Sequence, residues 1–265
     1  RRTIVAEIPM GGQPDSVAVS PDGRYAAVVV ENERNEDVGD GLIPQGAVTE
    51  TSDPCNLTSS GSPVPGKLVV IDLRGKPQHW TTRDVNLAGL PGMFAAADPE
   101  PEFVDINRAN MAVVSLQENN HFAIVDLRSA RVIRHFPAGE AELRNVDTEE
   151  EDLINLDSDI TKRREPDGVA WIGFGLFASA NEGDYEDASG EEGGSRGFTL
   201  FNFAGNVMFE SHESFEHLLV SAGHYNEGRS ENKGVEPESV EYGRYGRDDL
   251  VFVGSERSNA VVVYK

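Results

Sequence analysis

The chain has 265 residues, 23 basic against 46 acidic, and a net charge of −23. Such a surface repels phosphate backbones and anionic lipid, so it disfavours nucleic-acid binding and membrane-surface binding. Side chains are 38% apolar and 27 residues are glycine, an ordinary composition for a globular domain that argues against disorder of the whole chain. No run approaches the roughly 18 apolar residues of a transmembrane helix. Cys55 is the only cysteine, which excludes an intramolecular disulfide scaffold.

Taken in chain order, residues 3–8 read as an outer strand of a neighbouring unit whose start lies elsewhere. Then comes a motif that recurs: Gln13-Pro14-Asp15-Ser16-Val17-Ala18, Glu100-Pro101-Glu102-Phe103-Val104-Asp105, Glu165-Pro166-Asp167-Gly168-Val169-Ala170 and Glu236-Pro237-Glu238-Ser239-Val240-Glu241. The starts are 87, 65 and 71 residues apart, and internal repeats of this kind govern the fold. Each copy leads to a second strand-like run closing on a glutamate, at Glu31, Glu118, Glu182 and Glu256, which lie 18, 18, 17 and 20 residues beyond the motif's first position. Third runs follow at residues 68–73, 122–127, 198–203 and 261–264. More polar fourth runs are read at 132–136 and 207–210. All are short, rich in Val, Ile and Phe, and bounded by turn formers such as Ser20-Pro21-Asp22-Gly23.

Units of four antiparallel strands at this spacing read as blades of an all-β propeller. The chain is expected to be one propeller portion of about four blades, with units starting near residues 11, 98, 163 and 234. A chain that opens on a fourth strand and ends on a third fits either a closed four-bladed ring, its first strand completing the last blade, or a piece of a larger ring. The narrowness of a four-bladed ring favours the second, so the chain is expected to be part of a longer polypeptide. The polar stretches 32–67, 139–164, 184–197 and 211–233 are expected to be loops, with almost no helix.

In a hairpin the start of strand one lies beside the end of strand two. Gln13, Glu100, Glu165 and Glu236 should therefore join Glu31, Glu118, Glu182 and Glu256 on one channel face, as seven carboxyl groups and one amide. Carboxylates so close must bind a cation, share protons or pair with bases. Hard oxygen donors suit Ca²⁺, with Glu165, Glu182, Asp184, Glu236 and Glu256 as the expected ligands. The competing reading has Arg34, Arg164, Lys233 and Arg257 neutralise the ring. Asn56-Leu57-Thr58 is an N-glycosylation sequon, which with the loop around it leans towards an extracellular location.

Several motifs fail on context. Gly193-Gly194-Ser195-Arg196-Gly197 matches a hydrolase elbow but precedes a strand rather than a helix. His212 and His217 are five apart, one too many for a zincin pair on one helical face. The acidic run 147–152 reads as a solvated loop, and so does the acidic stretch after Glu182. His121, next to the Glu118 rim, is the one remaining histidine of interest.

The strings Arg164-Glu165-Pro166-Asp167-Gly168-Val169-Ala170-Trp171, Ala180-Asn181-Glu182-Gly183-Asp184-Tyr185, residues 193–201 and Lys233-Gly234-Val235-Glu236-Pro237-Glu238 resemble the choice-of-anchor I family, as do residues 42–46 and 251–257. That family includes bacterial surface or secreted proteins and animal mesenchyme-specific cell surface glycoproteins. The resemblance implies a propeller of seven blades, only partly present here, and a secreted or cell-surface location. Some relatives are labelled alkaline phosphatase-like or resemble propeller phytases. Three functions follow as expectations. The first is a non-catalytic surface propeller that binds Ca²⁺ and presents its loops to a protein or glycan partner. The second is a calcium-dependent phosphoesterase, and the third a structural subunit of an extracellular assembly.

Overall fold

The computed structural model describes residues 3–31, 65–183 and 193–265. Strands hold 48% of the described residues. Blade 1 comprises β1 (Gln13–Val19), β2 (Tyr25–Glu31), β3 (Lys67–Asp72) and β4 (Thr81–Asn86). Blade 2 comprises β5 (Pro101–Ile106), β6 (Met111–Leu116), β7 (His121–Asp126) and β8 (Arg131–Pro137). The hairpin β9 (Glu140–Val146) and β10 (Ser158–Arg163) follows. Blade 3 is β11 (Val169–Ile172), β12 (Leu176–Asn181), β13 (Gly197–Asn202) and β14 (Val207–Glu210). After helix α1 (Ser214–Ala222), blade 4 has β15 (Pro237–Tyr245), β16 (Asp248–Ser255) and β17 (Ala260–Tyr264). Every blade is an antiparallel meander, four-stranded in blades 1 to 3 and three-stranded in blade 4.

The strand patterns explain the stacking. The middle strands β2, β3, β6 and β7 are buried along nearly their whole length, because each sheet is covered on both faces and needs continuous apolar runs rather than alternation. The outer strands β4, β8 and β14 face water and are polar or mixed. Val29, Leu68 and Val70 of blade 1 pack on Val104, Val114 and Val125 of blade 2. Blades 2 and 3 meet through an aromatic cluster. There Phe122 lies 5.1 Å from Phe177 and 5.0 Å from Phe201, both edge-on, the offset geometry that ring quadrupoles favour. Ala178, Ala180 and Phe198 of blade 3 pack on Val240, Val251 and Val253 of blade 4. Polar clamps register the seams: Trp171 N–H donates to Asp105 Oδ2 at 2.6 Å, and Gly168 N–H to the Glu238 carbonyl at 2.9 Å.

The four-blade reading and the Ser20–Gly23 turn hold. Gly23 sits at φ 68° and its N–H donates to the Ser20 carbonyl, while Ser20 Oγ accepts from Tyr25 N–H at 2.9 Å. Residues 3–8 join no sheet among the described residues, and Ile8 and Met10 pack against the outward face of blade 1. Two expectations need correction. Stretch 139–164, expected as loop, folds into the β9–β10 hairpin, because Ala141, Leu143 and Val146 are buried between exposed polar residues. Stretch 211–233 contains α1, whose Phe215 and Leu219 enter the core beside Phe198 and whose end is closed by left-handed Gly223. Burial of that one apolar stripe outweighs a sequence that carries little helical signal on its own.

Candidate functional site

The repeated motif lies on the inner strands, and its main chain behaves as the hairpin argument requires. Gln13 pairs directly with Glu31. The carbonyls of Glu100, Glu165 and Glu236 accept from the N–H groups of Gln117, Gly183 and Glu256 at 3.1, 3.1 and 3.0 Å. The start of strand one and the end of strand two therefore share a rim in every blade.

The side chains divide differently. Glu100, Glu165 and Glu236 are fully buried. Glu165 pairs with Arg163 Nη2 at 2.9 Å, and Glu236 with Arg229 Nε at 2.5 Å and Arg257 Nε at 3.1 Å. Gly193 lies so close that a Cβ there would sit 2.1 Å from the Glu165 carboxyl carbon. The channel is lined instead by the acid two positions further on, at Asp15, Glu102, Asp167 and Glu238, with Gln117 and Glu182 beside them around an open cleft of about 450 Å³. Two features re-aim the chain. Glu165 and Glu236 adopt φ of 42° and 45°. The pairing also slips inside the motif, between Pro14 and Val17, Pro101 and Val104, and Pro237 and Ser239. A bulge adds a residue to one strand and redirects the side chains around it. The signal for the missed residues was present in the sequence, since an acid stands at this third position in all four copies.

Among the described residues, two carboxylate triads could hold a cation, each with ligand oxygens within 4.8 Å of one another. One is Asp15, Glu31 and Glu102, which joins blades 1 and 2. Burial is the first cause that lifts the Glu102 carboxyl well above the ordinary carboxylate range. The charges of Glu31, Asp15 and Asp167 and a hydrogen bond shared with Glu31 add to it. The other triad is Glu182, Glu236 and Glu256, three of the five expected ligands. It is threaded by bases: Lys233 Nζ lies 3.5 Å from Glu182, and Arg257 Nε 3.3 Å from Glu256. The hydrogen bond to Glu236 and then the charges of Glu236, Glu256 and Glu182 raise the Arg257 pKa.

Of the expected ring, Gln13 and Glu31 sit at the rim of blade 1, half-buried, and Glu118 is buried. Glu182 reaches the cleft, where it accepts from Gln117 Nε2 of blade 2 at 3.3 Å. Glu256 is exposed. Lys233 and Arg257 meet the ring as the neutralising reading requires. Arg164 does not, for it pairs with Glu210 at 2.6 Å. Asp184, Arg34 and the Asn56 sequon lie outside the described residues.

The rejected motifs acquire structural roles. Ser195 is buried and accepts from Asn181 Nδ2 at 3.0 Å, while Gly197 opens β13. Arg196 is fully buried; it donates to the carbonyls of Asp147 and Ser230, each at 2.6 Å, and pairs with Glu216 at 3.3 Å. His212 and His217 bond the carbonyls of Glu142 and Asn145 at 3.0 and 2.7 Å, tying α1 to β9. His121 is buried against His135, Nε2 to Nδ1 at 3.1 Å. Burial and then the His135 charge lower its pKa to about 4.

Among solved structures, the chain is similar to a Dos1 propeller (12% identity, TM-score 0.44), covering 92% of this chain and 42% of that one. It is similar to a streptogramin B lyase (9% identity, TM-score 0.41; 95% and 54% coverage). A third is a functionally unknown protein from Desulfotomaculum acetoxidans DSM 771 (10% identity, TM-score 0.42; 95% and 55% coverage). The chain thus spans about half the length of these structures, and such distant likeness carries nothing about activity. No curated protein matches it. The model of the choice-of-anchor I domain matches residues 1–193 and 190–265, which together take in the repeated motif in all its copies, and the chain belongs to that family.

Proposed function

We propose that this chain is a surface-associated propeller module whose channel face binds a divalent cation and whose loops engage a protein or glycan partner outside the cell. The observation that carries the cation reading is the gathering of Asp15, Glu102 and Asp167 around one cleft, with Glu31 completing a triad with Asp15 and Glu102. Burial first, and then the charges of Glu31, Asp15 and Asp167, lift Glu102 out of its ordinary range. A cation there relieves that repulsion, and an all-carboxylate donor set suits Ca²⁺ better than Mg²⁺, which holds its waters and demands a tighter octahedron. The favoured site is the Asp15–Glu31–Glu102 triad. Glu182, Glu236 and Glu256 already have Lys233, Arg229 and Arg257 among them.

The phosphoesterase alternative gains no observation of its own, because a phosphate ester needs cations aimed at it and Arg229, Lys233 and Arg257 are engaged by carboxylates. Calorimetric titration with CaCl₂, beside thermal melts in Ca²⁺ and in chelator, tests the reading. Binding with a higher melting temperature supports it, with both effects lost in Asp15→Asn/Glu102→Gln. No heat of binding and superimposable melts sink it.

A further inference from the structure

The β9–β10 hairpin belongs to no blade; its two strands form a sheet of their own, inserted in the chain between blades 2 and 3. It is anchored to the body of the protein. Ala141, Leu143 and Val146 are buried, and His212 and His217 of the segment around α1 bond the carbonyls of Glu142 and Asn145. The linking residues 147–157 are fixed as well. Buried Asp147 accepts from the N–H groups of Glu149 and Asn155 at 3.4 and 3.1 Å, and Arg196 donates to its carbonyl. Glu227 Oε1 accepts from the N–H groups of Glu151 and Asp152 at 2.5 and 2.8 Å.

On this fixed tip Leu153 is 62% exposed and Ile154 42%. Two adjacent aliphatic side chains held out in water by a hydrogen-bonded turn gain burial only from another molecule. Glu149, Glu150, Glu151, Asp152, Asp157 and Asp159 are exposed around them, and residues 147–159 contain no lysine or arginine. Desolvation first, and then the charges of Asp147, Glu149, Glu227 and Asp157, raise the Glu151 carboxyl above its ordinary range. Among the described residues, three carboxylates converge only in the two triads already described. The acids of the tip are therefore spread over a surface, which suits several cationic side chains along a polypeptide better than a single ion. Anionic lipid is repelled by the same charges.

We propose that the tip of this hairpin is where the module engages its protein partner, and that the partner presents a basic segment with aliphatic side chains between its lysines or arginines. The inference rests on the protein-partner reading above and names its surface. Leu153 and Ile154 form the apolar centre of the contact, and the carboxylates form a charged rim that steers a basic partner and tolerates few others.

Fluorescence anisotropy with a short labelled peptide of alternating lysine and leucine tests the proposal, with hydrogen exchange to map where it sits. The peptide should bind and protect residues 147–159. Replacing its lysines by glutamate should abolish binding, and replacing its leucines by serine should weaken it by about tenfold or more. Leu153→Ser/Ile154→Ser alters exposed side chains only; it should keep its circular dichroism spectrum and lose about tenfold or more in affinity. Glu149→Gln/Glu150→Gln/Glu151→Gln should weaken binding and blunt its sensitivity to salt. A serine peptide that binds as well as the leucine one overturns the proposal, since attraction to a surface of net charge −23 then suffices. No binding overturns it too. Protection confined to another loop overturns this site and leaves the protein-partner reading standing, and the calcium titration decides the cation reading separately.

Discussion

Glu102 of β5 and Glu31 at the end of β2 share a hydrogen bond across the seam between blades 1 and 2. Two carboxyl groups can do so only while one of them holds a proton. The channel face is thus built around an acid that the fold keeps from ionising in its ordinary range, and this relationship sets the first prediction.

Burial and the acids around it raise the Glu102 pKa above its ordinary 4.5, so the folded state binds more protons there than the unfolded chain. Its contribution is fully present below that value and is lost as pH rises through the raised one. Metal-free protein should therefore melt lower as pH climbs from about 5 towards neutrality. Glu102→Gln should flatten that slope and raise the melting temperature at neutral pH, as calorimetry at several pH values in chelator would show.

His121 runs the opposite way. Its pKa falls from 6.5 to about 4 through burial and then the His135 charge. A base depressed on folding gives stability that is present above the unfolded value and lost as pH drops through the folded one. Melting temperature should fall between pH 6.5 and 4, and His121→Leu should weaken this acid sensitivity. Equal slopes for wild type and variant would remove His121 as the cause.

Arg196 joins the loop at Asp147, helix α1 and the loop at Ser230 from a fully buried position. Truncation strands Glu216, whose carboxyl burial already pushes upward in pKa. Arg196→Ala should cost about 3–5 kcal/mol in urea unfolding, whereas Ser195→Ala in the same pentapeptide should cost only about 1–2 kcal/mol.

Gly168 lies at the seam of blades 3 and 4, where a Cβ would meet the Glu238 carbonyl oxygen at 2.6 Å. Neither backbone can yield without shifting a blade. Gly168→Ala should destabilise by about 1–3 kcal/mol, and a double-mutant series with Val240→Ala should be non-additive, since both sit on one interface.

The blades were legible because their strands are short apolar runs set off by turn residues, and because the motif of Gln13, Glu100, Glu165 and Glu236 recurs. The pairing of Gln13 with Glu31 followed from the same spacing. Helix α1 was not legible, since its stability comes from Phe215 and Leu219 meeting Phe198, a contact distant in sequence. Nor was the β9–β10 hairpin, although Ala141 and Leu143 alternate with glutamates, because the acidic run after Val146 dominates the composition of that stretch.

The sequence by itself determined that four like units stack as blades, since strand periodicity and turn chemistry are local properties. It also determined that acids crowd one rim, because strand order places motif starts beside strand ends. Only the tertiary structure decided which acids face the channel. Left-handed φ at Glu165 and Glu236 turns those two acids inward to arginines, and with slipped pairing in three motifs the fold presents Asp15, Glu102, Asp167 and Glu238 to the cleft. Those turns of the backbone persist through packing against neighbouring blades, which no single repeat contains.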